Sequence, residues 1–421
     1  MKAKTLFSLS LKNLTRYTRR TIITASAVAV GILLFIFVDS ILKGAERDSE
    51  RNLLWYETGS AQIFTGEFWE EKDRLPLNKG IEEPDEVLSF LASKGVKAAP
   101  RVTALGELVV YKDPYPEDGS LQVRITAVDP VRDPEVFRLE DEVVEGSWFS
   151  GSPGEEGVIL GQWLAEDLGA RVGYPVTLVT RTRDGAYQTM DLTIVGIVAT
   201  PNPVVNRTGV YLPLDTADFY LDMGGTVTSI ALSLPEHIPV EEQVAAFGPA
   251  LAARFPDLTL KTWKDLAPGY VAIAQAKQGG TSMILLLLFV IAAVGISNTM
   301  LMSIYERFRE IGMMRALGMK ESQIGLSFLL EAAGIGFLGA LMGVILAVPI
   351  NYFLVEYGID YGWLIREMDV GYRIAGAFKG TWDPGSFLTA FVMGVLIATV
   401  VAIFPVRRAF KKSIVDCLHY H

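Results

Sequence analysis

YERFREIGMMRALGM, residues 305–319, is a short polar stretch between two long apolar runs. Its apolar residues Phe308, Ile311, Met314 and Leu317 recur every third position. That period marks an amphipathic helix lying along a surface. Glu306 precedes Arg309 by three residues, and Arg307 precedes Glu310 by three, so opposite charges can meet on one face. Gly318 can end the helix. The stretch decides the fold because it makes the flanking runs separate spans joined by a helical loop.

Outward from it, four apolar runs cover 21–38, 283–304, 324–354 and 387–406. Each is near or above the roughly 20 residues that cross a bilayer core. The 421-residue chain has 50% hydrophobic residues and a mean hydropathy of +0.31, which fits a few spans plus a sizeable soluble domain. The first run follows Arg19 and Arg20 as a signal peptide would, but Asp39, Ser40 and Ile41 offer no small-residue cleavage site, so it reads as an uncleaved span. With one cysteine, Cys417, the chain has no intrachain disulfide.

Basic residues fix the orientation. Lys2, Lys4, Lys12, Arg16, Arg19 and Arg20 precede the first span. Arg307, Arg309, Arg315 and Lys320 lie in 305–323, and Arg407, Arg408, Lys411 and Lys412 in the tail. Only Glu306, Glu310, Glu321 and Asp416 oppose them, while the rest of the chain is acidic. Both termini and the central loop are therefore expected in the cytoplasm.

The pattern predicts a cytoplasmic amphipathic segment over 1–20, a first span over 21–42, an outer domain with stalks over 43–280, and a second span over 281–304. A helical loop over 305–323, a third span over 324–355, an outer loop over 356–385, a fourth span over 386–406 and a tail over 407–421 follow. Ala27 and Gly31 form a small-xxx-small pair on the first span, and Gly339 and Gly343 form another on the third. Pro349 is expected to kink or end the third helix. Stretches 45–54 and 271–277 read as helical stalks.

Residues 60–262 read as α+β with two lobes. Strands are expected over 107–111, 121–128, 176–181, 188–198, 209–212 and 228–234, and helices over 84–94, 161–168, 215–222 and 240–254. Turn-rich stretches 112–120 and 146–157 are candidate lobe boundaries.

No GxxxxGK[ST] phosphate loop, HExxH motif, Cys/His cluster or GxSxG elbow is present. Glu331 lies one to two turns into the third run; it is expected to pair with a cytoplasmic-side arginine and hold the loop helix, the alternative being proton coupling. Asn298 is expected to make an interhelical hydrogen bond. Phe35, Phe37, Leu285, Leu288 and Phe289, on the outer halves of the first two spans, are candidates to line a substrate cleft or to face lipid.

One register carries a resemblance. Asn298, Glu306, Arg307, Glu310, Ile311, Gly312, Arg315, Ala316 and Gly318 match the pattern N-x7-E-R-x-x-E-I-G-x-x-R-A-x-G of MacB/FtsX/LolC-type permeases of ATP-binding cassette (ABC) systems. The stretch GVILGQWLAEDLGARVGYPVTLV from Gly157 resembles the family's outer-domain core motif, and FPVRRAFKKSIVDCL at the end resembles its closing segment. The resemblance spans nearly the whole length and is nearest to the lipoprotein-releasing LolC/LolE type. It implies an α-helical membrane protein with four transmembrane helices plus a large α+β extracytoplasmic (periplasmic) domain inserted between helices 1 and 2. It implies a bacterial inner-membrane permease with no bound cofactor and no enzymatic activity of its own. ATP and Mg act through two copies of a separate ABC ATPase subunit. The coupling helix, Glu306 to Gly318 with Phe308, Met314 and Leu317, would seat its apolar stripe in an ATPase groove. Further implied partners are a second permease, identical or paralogous, membrane lipid, a lipoprotein substrate and a periplasmic carrier, with no nucleic acid. A free-standing MacB-like exporter and an FtsX-like regulator of a cell-wall hydrolase are the alternatives.

Overall fold

The computed structural model describes residues 18–359 and 379–410. Most of the lead-in 1–20, most of the 356–385 loop with Trp363 and Tyr372, and the end of the tail with Cys417 lie outside the described residues. The chain forms two compact units. One is built from residues 18–47, 274–359 and 379–410, the other from 48–273.

The second unit is α+β. Its strands are β1 (Ala61–Thr65), β2 (Lys97–Val110), β3 (Gly119–Val128), β4 (Val143–Gly146), β5 (Gly157–Gly161), β6 (Pro175–Arg181), β7 (Tyr187–Val198), β8 (Gly209–Pro213), β9 (Ser229–Ser233) and β10 (Leu258–Thr262). Hydrogen-bonded pairs run β2–β3, β3–β8, β8–β5, β5–β7, β7–β6 and β6–β2, so six strands close on themselves. Closure leaves those strands no free edge. Leu108, Ile125, Leu160, Leu178, Ile194 and Val210 are buried in the core they share. A second part branches from the first half of β2 through β9 and β1 to β10. Helices Pro84–Ser93 and Val240–Arg254 add Leu91 and Leu251 to the core, and Phe90 meets Phe255 edge-on.

The two-part reading of this domain stands, but its expected boundaries do not. Stretch 112–120 is the turn between β2 and β3, and 146–157 links β4 to β5. The parts meet within β2, whose partner changes from β9 to β6 along one continuous strand. Gly146 has φ 77°, and a Cβ there would stand 2.0 Å from the Val195 carbonyl, so glycine is required at the end of β4.

The first unit is helical. Helix α1 spans Thr18–Leu53, α2 Pro268–Glu306, α3 Phe308–Ala316, α4 Glu321–Glu356 and α5 Pro384–Phe410. Among the described residues, the helices over Thr21–Thr58, Glu321–Glu356 and Pro384–Arg408 are long and apolar enough to cross a membrane. Helix α4 continues seven residues past Pro349 rather than ending there. The core of this unit contains Val28, Ile32, Ile335, Ala340, Ala390 and Ala398.

Glycines set the spacing of these helices. A Cβ on Gly339 would come within 2.7 Å of the Ala25 carbonyl, and one on Gly343 within 2.8 Å of the Ala29 carbonyl. A Cβ on Gly336 would meet that of Ala398 at 2.7 Å, so α4 approaches α1 and α5 closely. The predicted small pair on the first span is displaced. Ala25 and Ala29 are buried at this seam, whereas Ala27 is exposed and Gly31 half-buried. Small residues every fourth position exist in both registers, and only packing selects one.

Candidate functional site

Helix α2 ends at Glu306, and Arg307, at φ −109° and ψ 15°, breaks the helical path before α3. The far end of α3 closes with Gly318 at φ 86°. The Gly318 N–H donates to the Arg315 carbonyl and the Met319 N–H to the Met314 carbonyl, both at 3.0 Å. This double closure is the Schellman cap expected of a glycine in that position.

The inner side of α3 is tied down. Phe308 (2% exposed) and Ile311 are buried with Ile304, Ile324, Phe328 and Val406, and Met314 packs against the same group. Gly312 is buried beside them. Arg307 Nη1 donates to Glu331 Oε2 on α4 at 2.9 Å, and its Nε donates to Glu310 Oε2 at 2.9 Å. The guanidinium carbon lies 5.1 Å from the Phe328 ring centre. The Arg307 and Glu331 side chains are 7% and 8% exposed. Arg315 Nη2 reaches Glu321 Oε1 at 2.6 Å, a second tie from α3 to α4.

These contacts correct the expected role of the stripe. Phe308 and Ile311 face the chain's own helices, so they are not free to enter a partner groove. The outward residues are Arg309, Met313, Ala316 and Leu317, the last 88% exposed. An amphipathic period identifies a face, but not whether that face meets the chain's own spans or another protein. Glu331 and Arg307 meet as expected, and the predicted Arg307–Glu310 pair forms.

The remaining expected site residues lie on α1 and α2. Asn298 is exposed on α2. Phe35 is buried in the helical core with Ile32 and Ile36, so it does not line an open cleft, while Phe37 is half-buried. The side chains of Leu285, Leu288 and Phe289 lie outside the described residues.

A second cluster, not anticipated as such, joins α1 to the start of α5. Lys43 Nζ donates to Asp383 Oδ2 and Ser386 Oγ, each at 2.6 Å, and lies 3.2 Å from Asp39 Oδ2. Ser386 Oγ sits within hydrogen-bond reach of Asp39 and Asp383, and its single proton serves one of them. Hydrogen bonds from Lys43 and Ser386 hold the Asp383 carboxyl well below its ordinary value of 3.8, at about 2. Residues just before α5 lie along α1: the Thr381 N–H donates to Ser40 Oγ at 3.1 Å, and Ser40 Oγ to the Thr381 carbonyl at 3.0 Å. The signals were an i,i+4 Asp39–Lys43 pair and the Asp-Pro-Gly-Ser run 383–386, whose Asp383 Oδ1 accepts the Gly385 N–H as a helix cap does.

The family models for the MacB-like periplasmic core domain and the FtsX-like permease C-terminal region match residues 21–248 and 282–414. The chain belongs to the MacB/FtsX family of ABC transporter permeases. It is 22% identical over 412 residues to the lipoprotein-releasing system transmembrane protein LolC of Neisseria meningitidis serogroup B, covering 95% of this chain and 94% of that protein. It is likewise 22% identical over 424 residues to the macrolide export ATP-binding/permease protein MacB of Pasteurella multocida, covering 95% of this chain but 58% of that protein. The periplasmic region of MacB from Actinobacillus actinomycetemcomitans aligns with half of this chain at 13% identity and a TM-score of 0.36.

Proposed function

We propose that this chain is the membrane-spanning permease of an ABC transporter that works by mechanotransmission. Its spans are α1, α2, α4 and α5, its termini face the cytoplasm, and residues 48–273 fold outside a bacterial inner membrane. A separate ATPase, in two copies, docks on α3, and a second permease completes the assembly. The observation that carries the reading is α3 itself. It is rigidly held by Arg307 to Glu331 on a spanning helix, while it exposes Met313 and Leu317. A push on the exposed side passes into α4 instead of being absorbed by a loose loop. The docking surface is therefore Arg309, Met313, Ala316 and Leu317, with Glu306 and Gly318 at its ends.

The substrate class we infer is an acylated lipoprotein, extracted from the outer leaflet and handed to a periplasmic carrier. Likeness to a lipoprotein-releasing protein over nearly all of both lengths supports it. The match of residues 21–248 to a MacB-like core supports export of another amphipathic substrate as the second reading. Photocrosslinkers placed at the outer ends of α1 and α2, in vesicles containing the ATPase, test transport of a lipidated protein against a regulatory role. Capture of acylated proteins, lost on ATP hydrolysis, is expected. Capture of a soluble hydrolase and no lipidated protein overturns transport in favour of regulation.

A further inference from the structure

Helix α1 leads into the outer domain through an uncommon turn. Residues Leu54–Thr58 form a π-helix directly after Leu53, and the Gly59 N–H donates to the Leu54 carbonyl at 3.1 Å, five residues back. A π-turn is an α-helix with one residue inserted, and it frees backbone carbonyls from the helical ladder. Here the Trp55 carbonyl is taken by another segment: the Arg138 N–H donates to it at 3.0 Å.

Three successive side chains of this turn grip three different segments. The guanidinium carbons of Arg138 and Arg51 lie 3.7 and 4.7 Å from the centre of the Trp55 ring, and Trp55 Nε1 donates to Glu236 at 3.1 Å. The Tyr56 hydroxyl, on a buried ring, donates to Glu142 at 2.6 Å. Glu57 accepts from Asn202 Nδ2 at 3.1 Å, and Asn202 caps the short helix Pro203–Thr208. An unmodified α-turn would space these three about 100° apart on a tighter path.

The segment that receives most of these contacts is itself fixed. Asp133, five residues before Arg138 and nine before Glu142, makes a buried two-point pair with Arg101 on β2 at 2.7 and 2.9 Å. The Arg101 guanidinium stacks on Phe137 at 3.3 Å. Hydrogen bonds and ring contacts thus connect the end of α1, through the segment 133–142, to β2.

The returning junction is built otherwise. A short helix, Trp263–Leu266, starts from a Thr262–Asp265 capping box, Ala267 leaves helical geometry at φ −122° and ψ 57°, and α2 begins at Pro268. Proline lacks the N–H that would carry the ladder across. Pro268 and Gly269 are exposed, whereas Tyr56 and Thr58 are buried.

We propose that the two junctions have different mechanical roles: the π-turn Leu54–Thr58 is the rigid joint through which α1 drives the outer domain, and Ala267–Pro268 is the hinge on which α2 follows. Trp55, Tyr56, Glu57, Arg138 and Glu142 are positioning residues for the stroke. This rests on the mechanotransmission reading.

The test uses the full chain with its ATPase in nanodiscs, in a Cys417→Ser background, with spin labels at Tyr187→Cys and Met342→Cys. The distance distribution is measured with and without ATP and vanadate. The unmodified joint is expected to give a nucleotide-dependent shift. Trp55→Ala with Tyr56→Phe is expected to lose at least half of it while the ATPase rate holds. The milder Tyr56→Phe with Glu57→Gln, which keeps both rings, is expected to lose part of it, and Pro268→Ala to keep it. A full shift in both joint variants overturns the joint alone. No shift with the unmodified joint overturns the mechanotransmission reading and the joint with it.

Discussion

Arg307 and Lys43 each bridge two carboxylates, yet they do so in different surroundings. The Arg307 and Glu331 side chains are 7% and 8% exposed; those of Lys43 and Asp383 are 42% and 38%. A buried charge that loses its partner cannot fall back on water, so removing one member of such a pair costs about 3–5 kcal/mol. An exposed pair is worth about 0–1 kcal/mol, because water and salt replace the partner. The same bridging chemistry therefore makes a permanent joint in one place and a releasable one in the other. Helix α3 is fused to α4 by Arg307. Helix α1 is seated on α4 by glycine contacts, and Lys43 adds only a light tie to α5.

The largest effect is expected at the buried Arg307–Glu331 pair. Glu331→Ala should destabilise the helical unit by about 3–5 kcal/mol, measured by denaturant unfolding in detergent, since Arg307 would remain buried with only Glu310. Replacing both charges together, as Arg307→Met with Glu331→Leu, should recover much of that loss. Were Glu331→Ala no more costly than Lys43→Ala, the contrast would be void.

Next in size is the glycine seam. Gly339→Ala places a methyl 2.7 Å from a backbone carbonyl that has no side-chain freedom to yield, so about 1–3 kcal/mol is expected from overpacking. Gly295→Ala on α2, where a Cβ would meet nothing within 4 Å, is the matched control and should be neutral or slightly stabilising.

Smaller still is the Lys43 tie. Lys43→Met should cost no more than about 1 kcal/mol, and the difference from the parent should shrink as salt rises. Its pH signature is more specific. The folded Asp383 carboxyl sits at about 2, below its ordinary 3.8. A depressed carboxylate stabilises the fold above the ordinary value and loses that contribution as pH falls through the folded one. The benefit of Asp383 should thus hold above about pH 4 and vanish between about 4 and 2, and Asp383→Asn should remove that slope when unfolding is followed across the window.

Much of this architecture was legible in the residues, and the illegible parts share a cause. The helix Val240–Arg254, strand β7 and the Arg307–Glu310 pair followed from local spacing. Strand β5, GVILG, did not, because a five-residue run buried on both faces has no alternation to detect. Strands β1 and β10 are also short and take their identity from pairing with each other across nearly two hundred residues. The Lys43 cluster joins residues 340 apart in sequence, a separation that no local pattern crosses. The α3 stripe was visible, but its direction was not, since Phe308 and Ile311 would look the same facing a partner as facing Phe328.

The direction of that stripe decides which face of α3 is open to a partner. With a photocrosslinking amino acid placed singly at Leu317, Met313, Ile311 or Phe308 in cells carrying the cognate ATPase, adducts to the ATPase are expected from 317 and 313 and none from 311 or 308. Adducts from 311 and 308 with none from 317 would contradict this assignment, because the face now assigned to the chain's own helices would then be the one that receives the stroke.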